Sequence, residues 1–221
     1  MSTSAKAALL EEYALVARAL SAPARLMILE QLAQGERGVE ALAAKTGLNL
    51  ANCSQHLQQL RRSGLVTGRR EGKAVIYRLT DDRTLALMDL LRQVAGRNLA
   101  RVAHILRGLS GGAEEPEPLG RAALAERLRE GSVTVLDVRP DDEYALGHIP
   151  GARNLPLDRL EQSLAGLDPA TEIVAYCRGP YCIHAHQAVA ALRRQGLNAR
   201  RMQGGLPEWR GEGRHVTIGA G

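Results

Sequence analysis

The chain has three cysteines, and two of them stand five positions apart in the run Tyr176-Cys-Arg-Gly-Pro-Tyr-Cys182. An apolar, strand-like stretch, Ile173-Val-Ala-Tyr176, precedes this run, and a helical pattern from Ala185 to Gln195 follows it. Cys177 is therefore expected where a strand ends and a short loop begins, with a helix entered near His184. Such a loop turns successive backbone N–H groups inward, and the helix N-terminus adds partial positive charge. A thiolate held there is stabilised, so Cys177 is expected to have a lowered pKa and to act as a nucleophile and persulfide carrier. The anion cradle is assigned to Arg178, Gly179, Tyr181, Cys182 and Ile183, while Pro180 removes one N–H from it. Cys182 is a candidate resolving thiol. Its attack on a Cys177 persulfide would give an intraloop disulfide with release of sulfide, or a trisulfide that keeps the sulfur. A tolerated small side chain is the alternative for Cys182. His184 and His186 could acidify a thiol or bind an anion, or be exposed helix residues.

A second group of residues suits recognition rather than bond chemistry. On a helix beginning at Leu50, Cys53, Leu57 and Leu60 share one face and are expected to pack inward. That leaves Asn52, Ser54, Gln55, Gln58, Gln59, Arg61 and Arg62 facing outward. Asn and Gln can pair bidentately with adenine in a major groove, and Arg62, Arg69, Arg70 and Lys73 suit phosphates or a minor-groove edge. A solvated basic face is the competing reading. Cys53 reads as a small core residue rather than a sensor, and His56 as packed or phosphate-contacting. Charge supports the nucleic-acid reading: residues 1–112 hold 16 Lys/Arg against 9 Asp/Glu, net +7, and residues 113–221 hold 13 against 15, net −2. The basic half is the one expected to meet a polyanion.

These residues need elements to position them. Ala8 to Leu20 reads as a helix. A second helix, with Pro23 in its first turn and Ser21 as N-cap, runs to about Gln34 and closes at Gly35. Val39 to Thr46 is a short helix ending at Gly47, and Asn49 can cap another from Leu50 to Ser63, stopped by Gly64. Two helices about a tight Gly-containing turn make a helix-turn-helix candidate. Leu65 to Arg70 and Ala74 to Leu79, joined by Glu71-Gly-Lys73, read as a two-stranded wing. Arg83 to Leu109 reads as one long helix whose stripe of Leu87, Leu90, Leu91, Val94, Leu99, Val102 and Ile105 suits a dimer interface. Gly108 to Gly120 has linker composition. After it, Val133 to Leu136 and Ile173 to Tyr176 alternate with helical patterns, which points to a parallel sheet flanked by helices. The expected domains are 1–108, a linker at 109–120, and 121–221.

Composition narrows the function. The chain has 221 residues, 45% of them hydrophobic, with no Phe and one Trp, so its cores must rest on aliphatic residues and binding by aromatic stacking is disfavoured. No apolar run approaches the roughly 18 residues that span a bilayer, and Met1 to Lys6 lacks an apolar signal region. An odd number of cysteines without framework spacing argues for reduced thiols and a cytoplasmic location.

Residues 8 to 108 resemble the ArsR family of winged-helix repressors, through Ala22-Pro-Ala-Arg-Leu26, Ser54-Gln-His-Leu57 with Leu60, Gly64-Leu-Val66, and Arg69-Arg-Glu-Gly-Lys73 before Tyr77-Arg-Leu79. The resemblance implies a homodimer on a double-stranded DNA operator. Thiol pairs or Asp/His sets that sense metals in such relatives are missing: Gly38 to Thr46 has no Cys, and the long helix offers only Asp89 and His104. No metal site and no cofactor are expected.

Leu119 to Val216 resembles a single rhodanese domain, through Leu136-Asp-Val-Arg139, Glu143-Tyr-Ala-Leu-Gly-His-Ile-Pro-Gly-Ala-Arg-Asn-Leu-Pro156, the Cys177 run, and Gly204-Gly-Leu-Pro-Glu-Trp209. This implies a sulfur donor such as thiosulfate, polysulfide or a low-molecular-weight persulfide, with Arg178 adding charge for an anionic donor. Asp137 and Arg139 are expected as a structural ion pair, His148, Gly151 and Asn154 as a supporting loop, and Trp209 as core. A related loop of Cys, five residues and Arg serves phosphate and arsenate chemistry, but Ile183 stands where that Arg would be. The leading expectation is a repressor whose rhodanese domain takes sulfane sulfur on Cys177 and couples it to DNA release. The alternatives are a sulfurtransferase that uses the winged helix for dimerisation or localisation, and an arsenite-responsive regulator with Cys177 and Cys182 as ligands.

Overall fold

The computed structural model describes residues 3–109, 116–160, 162–163, 166–180 and 182–219. Residues 110–115 of the expected linker and Tyr181 of the cradle lie outside them. The chain forms two compact units, Met1–Leu87 and Met88–Gly221, so the boundary falls before the linker composition, inside the helix that begins at Arg83. No helix among the described residues is long and apolar enough to cross a membrane.

The first unit contains α1 (Thr3–Leu20), α2 (Pro23–Gln34), β1 (Arg37–Gly38), α3 (Val39–Thr46), α4 (Leu50–Arg62), β2 (Val66–Glu71) and β3 (Ala74–Leu79). The local chemistry explains most of these bounds. Pro23 opens α2, where a missing N–H costs nothing. Gly47 ends α3 at φ 68°, a left-handed conformation that glycine takes without a Cβ clash. Asn49 caps α4 by accepting the Asn52 N–H on Oδ1 at 2.8 Å. Ser21 is not the cap of α2: its Oγ donates back to the Arg18 carbonyl at 2.7 Å, closing α1, and Ala22 stands at the cap position. A hydroxyl beside an orphan carbonyl is claimed by the helix that ends there.

The wing is a three-stranded sheet in the order β1-β3-β2 rather than two strands. β1 pairs Arg37 with Tyr77 and Gly38 with Ile76, and at two residues it is too short to show an alternating pattern. Ile28, Leu29, Leu42, Cys53, Leu57 and Leu60 are fully buried and form the core of this unit. Each such aliphatic side chain contributes about 1.5–3 kcal/mol relative to exposure. Beyond β3, the expected single helix is two, α5 (Arg83–Asn98) and α6 (Ala100–Leu109). Asn98 donates its side-chain amide to the Val94 carbonyl at 2.8 Å, competing with the backbone where the helix is interrupted.

The second unit adds α7 (Arg121–Glu130), β4 (Val133–Asp137), α8 (Asp141–Leu146), β5 (Arg153–Asn154), α9 (Leu157–Leu160), β6 (Glu172–Tyr176), α10 (Ile183–Arg194), β7 (Ala199–Arg201) and α11 (Leu206–Gly211). Its sheet runs β5-β4-β6-β7, all parallel, with a core cluster on each face. Alternation along β6 divides its side chains: Ile173, Ala175 and then Cys177 join the cluster that holds Val189 and Leu192 of α10. Val174 and Tyr176 join the one that holds Leu206 and Trp209. The two-residue period therefore aims Cys177 at α10.

Candidate functional site

Cys177 leaves the end of β6 with no exposed surface and is joined by a disulfide to Cys182, the N-cap residue of α10. The two Cα atoms are 6.1 Å apart, within the range a disulfide spans. The Cys182 N–H donates to the Gly179 carbonyl at 3.1 Å, a bond of the kind that closes a turn, and Pro180 stands where its fixed φ suits a turn's second position. This corrects part of the expected cradle, because the Cys182 N–H closes the turn and is not presented to an anion. Ile183, the first residue of α10, is 40% exposed.

Arg178 is also placed differently from its expected role. Its guanidinium forms a two-pronged pair with Glu143 of α8, Nε to Oε2 at 2.8 Å and an Nη to Oε1 at 2.7 Å, and the Glu143 side chain is wholly buried. The charge expected to greet an anionic donor is thus compensated, and Arg178 pins the loop to α8. Below the loop, Gly205 packs backbone to backbone. A Cβ there would stand 2.4 Å from the Gly179 nitrogen and 2.5 Å from the Cys177 oxygen, so only glycine fits. Leu206 N–H donates to the Cys177 carbonyl at 3.2 Å, and Glu208 accepts the Gly205 N–H at 2.8 Å. Neither Glu143 nor Gly205 had been given a role from the sequence, although each stands in a motif quoted for its resemblance.

The strand end beneath is held by buried charge. Arg139 and Asp137, both without exposed surface, pair through Nε at 2.9 Å and an Nη at 2.5 Å, and Tyr176 donates its hydroxyl to Asp137 at 2.6 Å. Burial, followed by the negative charge of Asp137, raises the Tyr176 phenol well above its usual pKa, which keeps it a donor. Asn154 donates to the Asp137 and Arg139 carbonyls, and His148 stacks on Tyr144 at 3.7 Å. Trp209 is buried and donates to the His215 carbonyl. The supporting roles expected of Asp137, Arg139, His148, Asn154 and Trp209 are the ones observed.

His184 is half-buried, and one ring nitrogen lies within 4.8 Å of both Cys177 and Cys182 sulfurs. Burial, then the nearby Arg178 charge, lowers its pKa, so near neutral pH the ring is uncharged. His186 is buried in α10. A cavity of about 430 Å³ opens beside His184, with Asp141, Leu157, Asp158 and Arg159 in its wall.

In the first unit, Cys53, Leu57 and Leu60 face inward and Asn52, Gln55, Gln58, Gln59, Arg61 and Arg62 are exposed, with Ser54 half-buried. Arg69, Arg70 and Lys73 are exposed on the wing hairpin. Three are already engaged: Gln59 accepts from Arg25 at 2.7 Å, Arg69 divides its guanidinium between Glu36 and Glu71, and Arg70 donates to the Gly72 carbonyl at 3.4 Å. The Cys53 thiol donates to the Val39 carbonyl at 3.8 Å, and burial raises its pKa. His56 keeps a buried Nδ1 without a hydrogen-bond partner.

A capped recognition helix with a β-wing, followed by a parallel α/β unit with a cysteine loop, defines a class of two-part regulator. Residues 20–69 match the helix-turn-helix domain family and residues 121–212 the rhodanese-like domain family. The chain is 46% identical over 215 residues to the HTH-type transcriptional regulator Rv0324 of Mycobacterium tuberculosis, covering 97% of this chain and 94% of that one. It is 42% identical over 80 residues to a biofilm growth-associated repressor of Agrobacterium fabrum, 36% of this chain and 68% of that protein. Among solved structures it is similar to a winged helix-turn-helix domain of Mycobacterium bovis, at 46% identity, TM-score 0.42, and 46% and 93% coverage. It is also similar to a rhodanese-related protein of Thermoplasma volcanium, at 28% identity, TM-score 0.42, and 47% and 99% coverage. The chain belongs to the ArsR-type helix-turn-helix transcriptional regulators and carries a rhodanese-like domain at its C-terminal side.

Proposed function

We propose that the protein is a cytoplasmic, homodimeric repressor that binds an operator in double-stranded DNA and releases it when the Cys177 loop is oxidised by sulfane sulfur. The observation that carries this reading is the pairing of a wholly buried Cys177 with a half-exposed Cys182 five positions further along one loop. In the reduced loop, the Cys177 thiolate takes one sulfur atom from a polysulfide, which leaves one sulfur shorter. The Cys182 thiolate then attacks the Cys177 sulfur, forming the S–S bond and expelling hydrosulfide. Two electrons leave the dithiol and reduce the transferred sulfur to sulfide. Thiosulfate and low-molecular-weight persulfides are the other donors, although the Glu143-bound Arg178 offers an anion no free charge.

Exposed Leu90, Leu91, Val94, Leu99 and Ile105 on α5 and α6 support dimerisation, since so much aliphatic surface on two successive helices calls for a partner. The exposed amides of α4 and the basic hairpin support DNA contact. The test is anisotropy of an operator fragment at fixed salt, with reduced protein before and after polysulfide, alongside intact mass. Affinity should fall at least about tenfold, about 1.4 kcal/mol, as the Cys177–Cys182 bond or a sulfur adduct appears. Equal affinity for reduced, polysulfide-treated and Cys177→Ser protein would overturn the coupling. Steady turnover with thiosulfate and a thiol acceptor, without effect on DNA, would leave a sulfurtransferase in its place.

A further inference from the structure

Two cysteine sulfurs and an imidazole converge at the mouth of the loop: the sulfurs of Cys177 and Cys182 and a ring nitrogen of His184 all lie within 4.8 Å of one another. They come from three separate backbone positions, the end of β6, the N-cap of α10 and its first turn. We propose that in the reduced protein these three side chains form a binding site for a thiophilic divalent cation of the zinc type, with a fourth position open to the adjoining cavity. This departs from the sequence expectation that the chain has no metal site.

Ligand chemistry and spacing both favour such an ion. Tetrahedral zinc takes thiolates at about 2.3 Å and imidazole nitrogen at about 2.0–2.1 Å, which puts neighbouring ligand atoms roughly 3.5–3.8 Å apart. Once the bond between them is reduced, the two sulfurs need only separate to that spacing, with the His184 nitrogen already within 4.8 Å of both, and the 6.1 Å Cα separation of the two cysteines leaves this within reach of side-chain rotation. Two sulfurs and one nitrogen select soft or borderline cations over calcium or magnesium, which need oxygen ligands. Asp141 and Asp158 in the wall of the 430 Å³ cavity beside His184 bring negative charge to the approach, although Asp141 is paired with Arg159. Cys177 is wholly buried, while Cys182 and His184 are partly exposed. An ion therefore reaches the outer two ligands first and is closed over the inner one.

Binding must start from the dithiol. A phosphine and one water open the disulfide to two thiols, the phosphine leaving as its oxide. The divalent cation then displaces two protons, one from each thiol, while neutral His184 adds a lone pair. Since the ion occupies Cys177, it excludes sulfur transfer at that atom, so the two chemistries compete for one site. This inference stands apart from the repressor reading, because its test needs neither DNA nor a sulfur donor.

The experiment uses the full chain, reduced with a phosphine, desalted without oxygen and titrated with cadmium, following the thiolate-to-metal charge-transfer absorption, with zinc as competitor. One ion per chain should bind, and zinc should displace it. Cys177→Ser and Cys182→Ser should lose the absorption, Cys53→Ala should keep it, and His184→Gln should weaken affinity by at least about tenfold. Should Cys177→Ser fold poorly, Cys182→Ser decides the matter, since that residue lies at the partly exposed start of α10. Substoichiometric binding, an absorption that survives in Cys182→Ser, or unchanged affinity in His184→Gln would each overturn the three-ligand site.

Discussion

Cys53 and Cys177 have the same exposure, none, yet their surroundings differ in kind. Cys53 shares its inward helix register with Leu57 and Leu60, its thiol donates to the Val39 carbonyl, and burial raises its pKa. At the end of a parallel strand, Cys177 has a second thiol and an uncharged imidazole within 4.8 Å, and a turn built on Pro180 holds the second thiol in place. On the proposed function, burial alone therefore does not separate the reacting Cys177 from Cys53. The separation comes from what polar and nucleophilic neighbours the fold supplies, and from whether one of them reaches solvent.

The largest effect that would test this contrast is at Asp137. Asp137→Ala leaves Arg139 as an uncompensated buried charge and should destabilise the second unit by about 3–5 kcal/mol. Pulsed alkylation of the reduced protein during a thermal ramp should then label Cys177 and Cys182 at temperatures where Cys53 stays protected. Simultaneous labelling of all three would mean that the two cysteines share one cooperative unit, and the contrast would fail.

A smaller effect is expected at Gly205. The methyl of Gly205→Ala would collide with the Gly179 nitrogen and Cys177 oxygen, an overpacking that costs about 1–3 kcal/mol. Polysulfide-driven formation of the Cys177–Cys182 bond should slow, while Cys53 alkylation and operator affinity of the reduced protein stay as they were. An unchanged rate of bond formation would show that the seat beneath the loop does not control its chemistry.

The smallest effect is a slope. His184 has a folded-state pKa below its unfolded value of about 6.5, so its contribution to stability is present above that pH and is lost as pH falls through the folded pKa. His184→Gln should flatten the fall in denaturant midpoint on acidification below about pH 6.5, with no change above it. A slope as steep as in the parent protein would place the responsible group elsewhere.

Much of this was legible in the sequence, for reasons of local geometry. Asn49, Gly47 and Pro23 mark helix ends because capping and φ constraints act over a few residues. The period of α4 placed Cys53, Leu57 and Leu60 inward because 3.6 residues per turn leaves little choice. The alternating apolar runs placed Cys177 at a strand end by the same kind of argument. Less legible were β1, where two residues show no period, the interruption after Asn98, and Ser21, whose hydroxyl had two equally near uses.

The residue types of the loop, its place between strand and helix, and the polar outer face of α4 were determined by the sequence alone, since each depends on contacts within a few positions along the chain. The partners that decide the chemistry lie far along it. Glu143 claims Arg178 from 35 residues away, Gly205 seats the loop from a later turn, and Arg25 takes Gln59 from 34 residues before. Only folding brings these groups within hydrogen-bond distance, because side-chain pairing depends on separation in space, which chain spacing does not specify beyond a turn of helix or a strand pair.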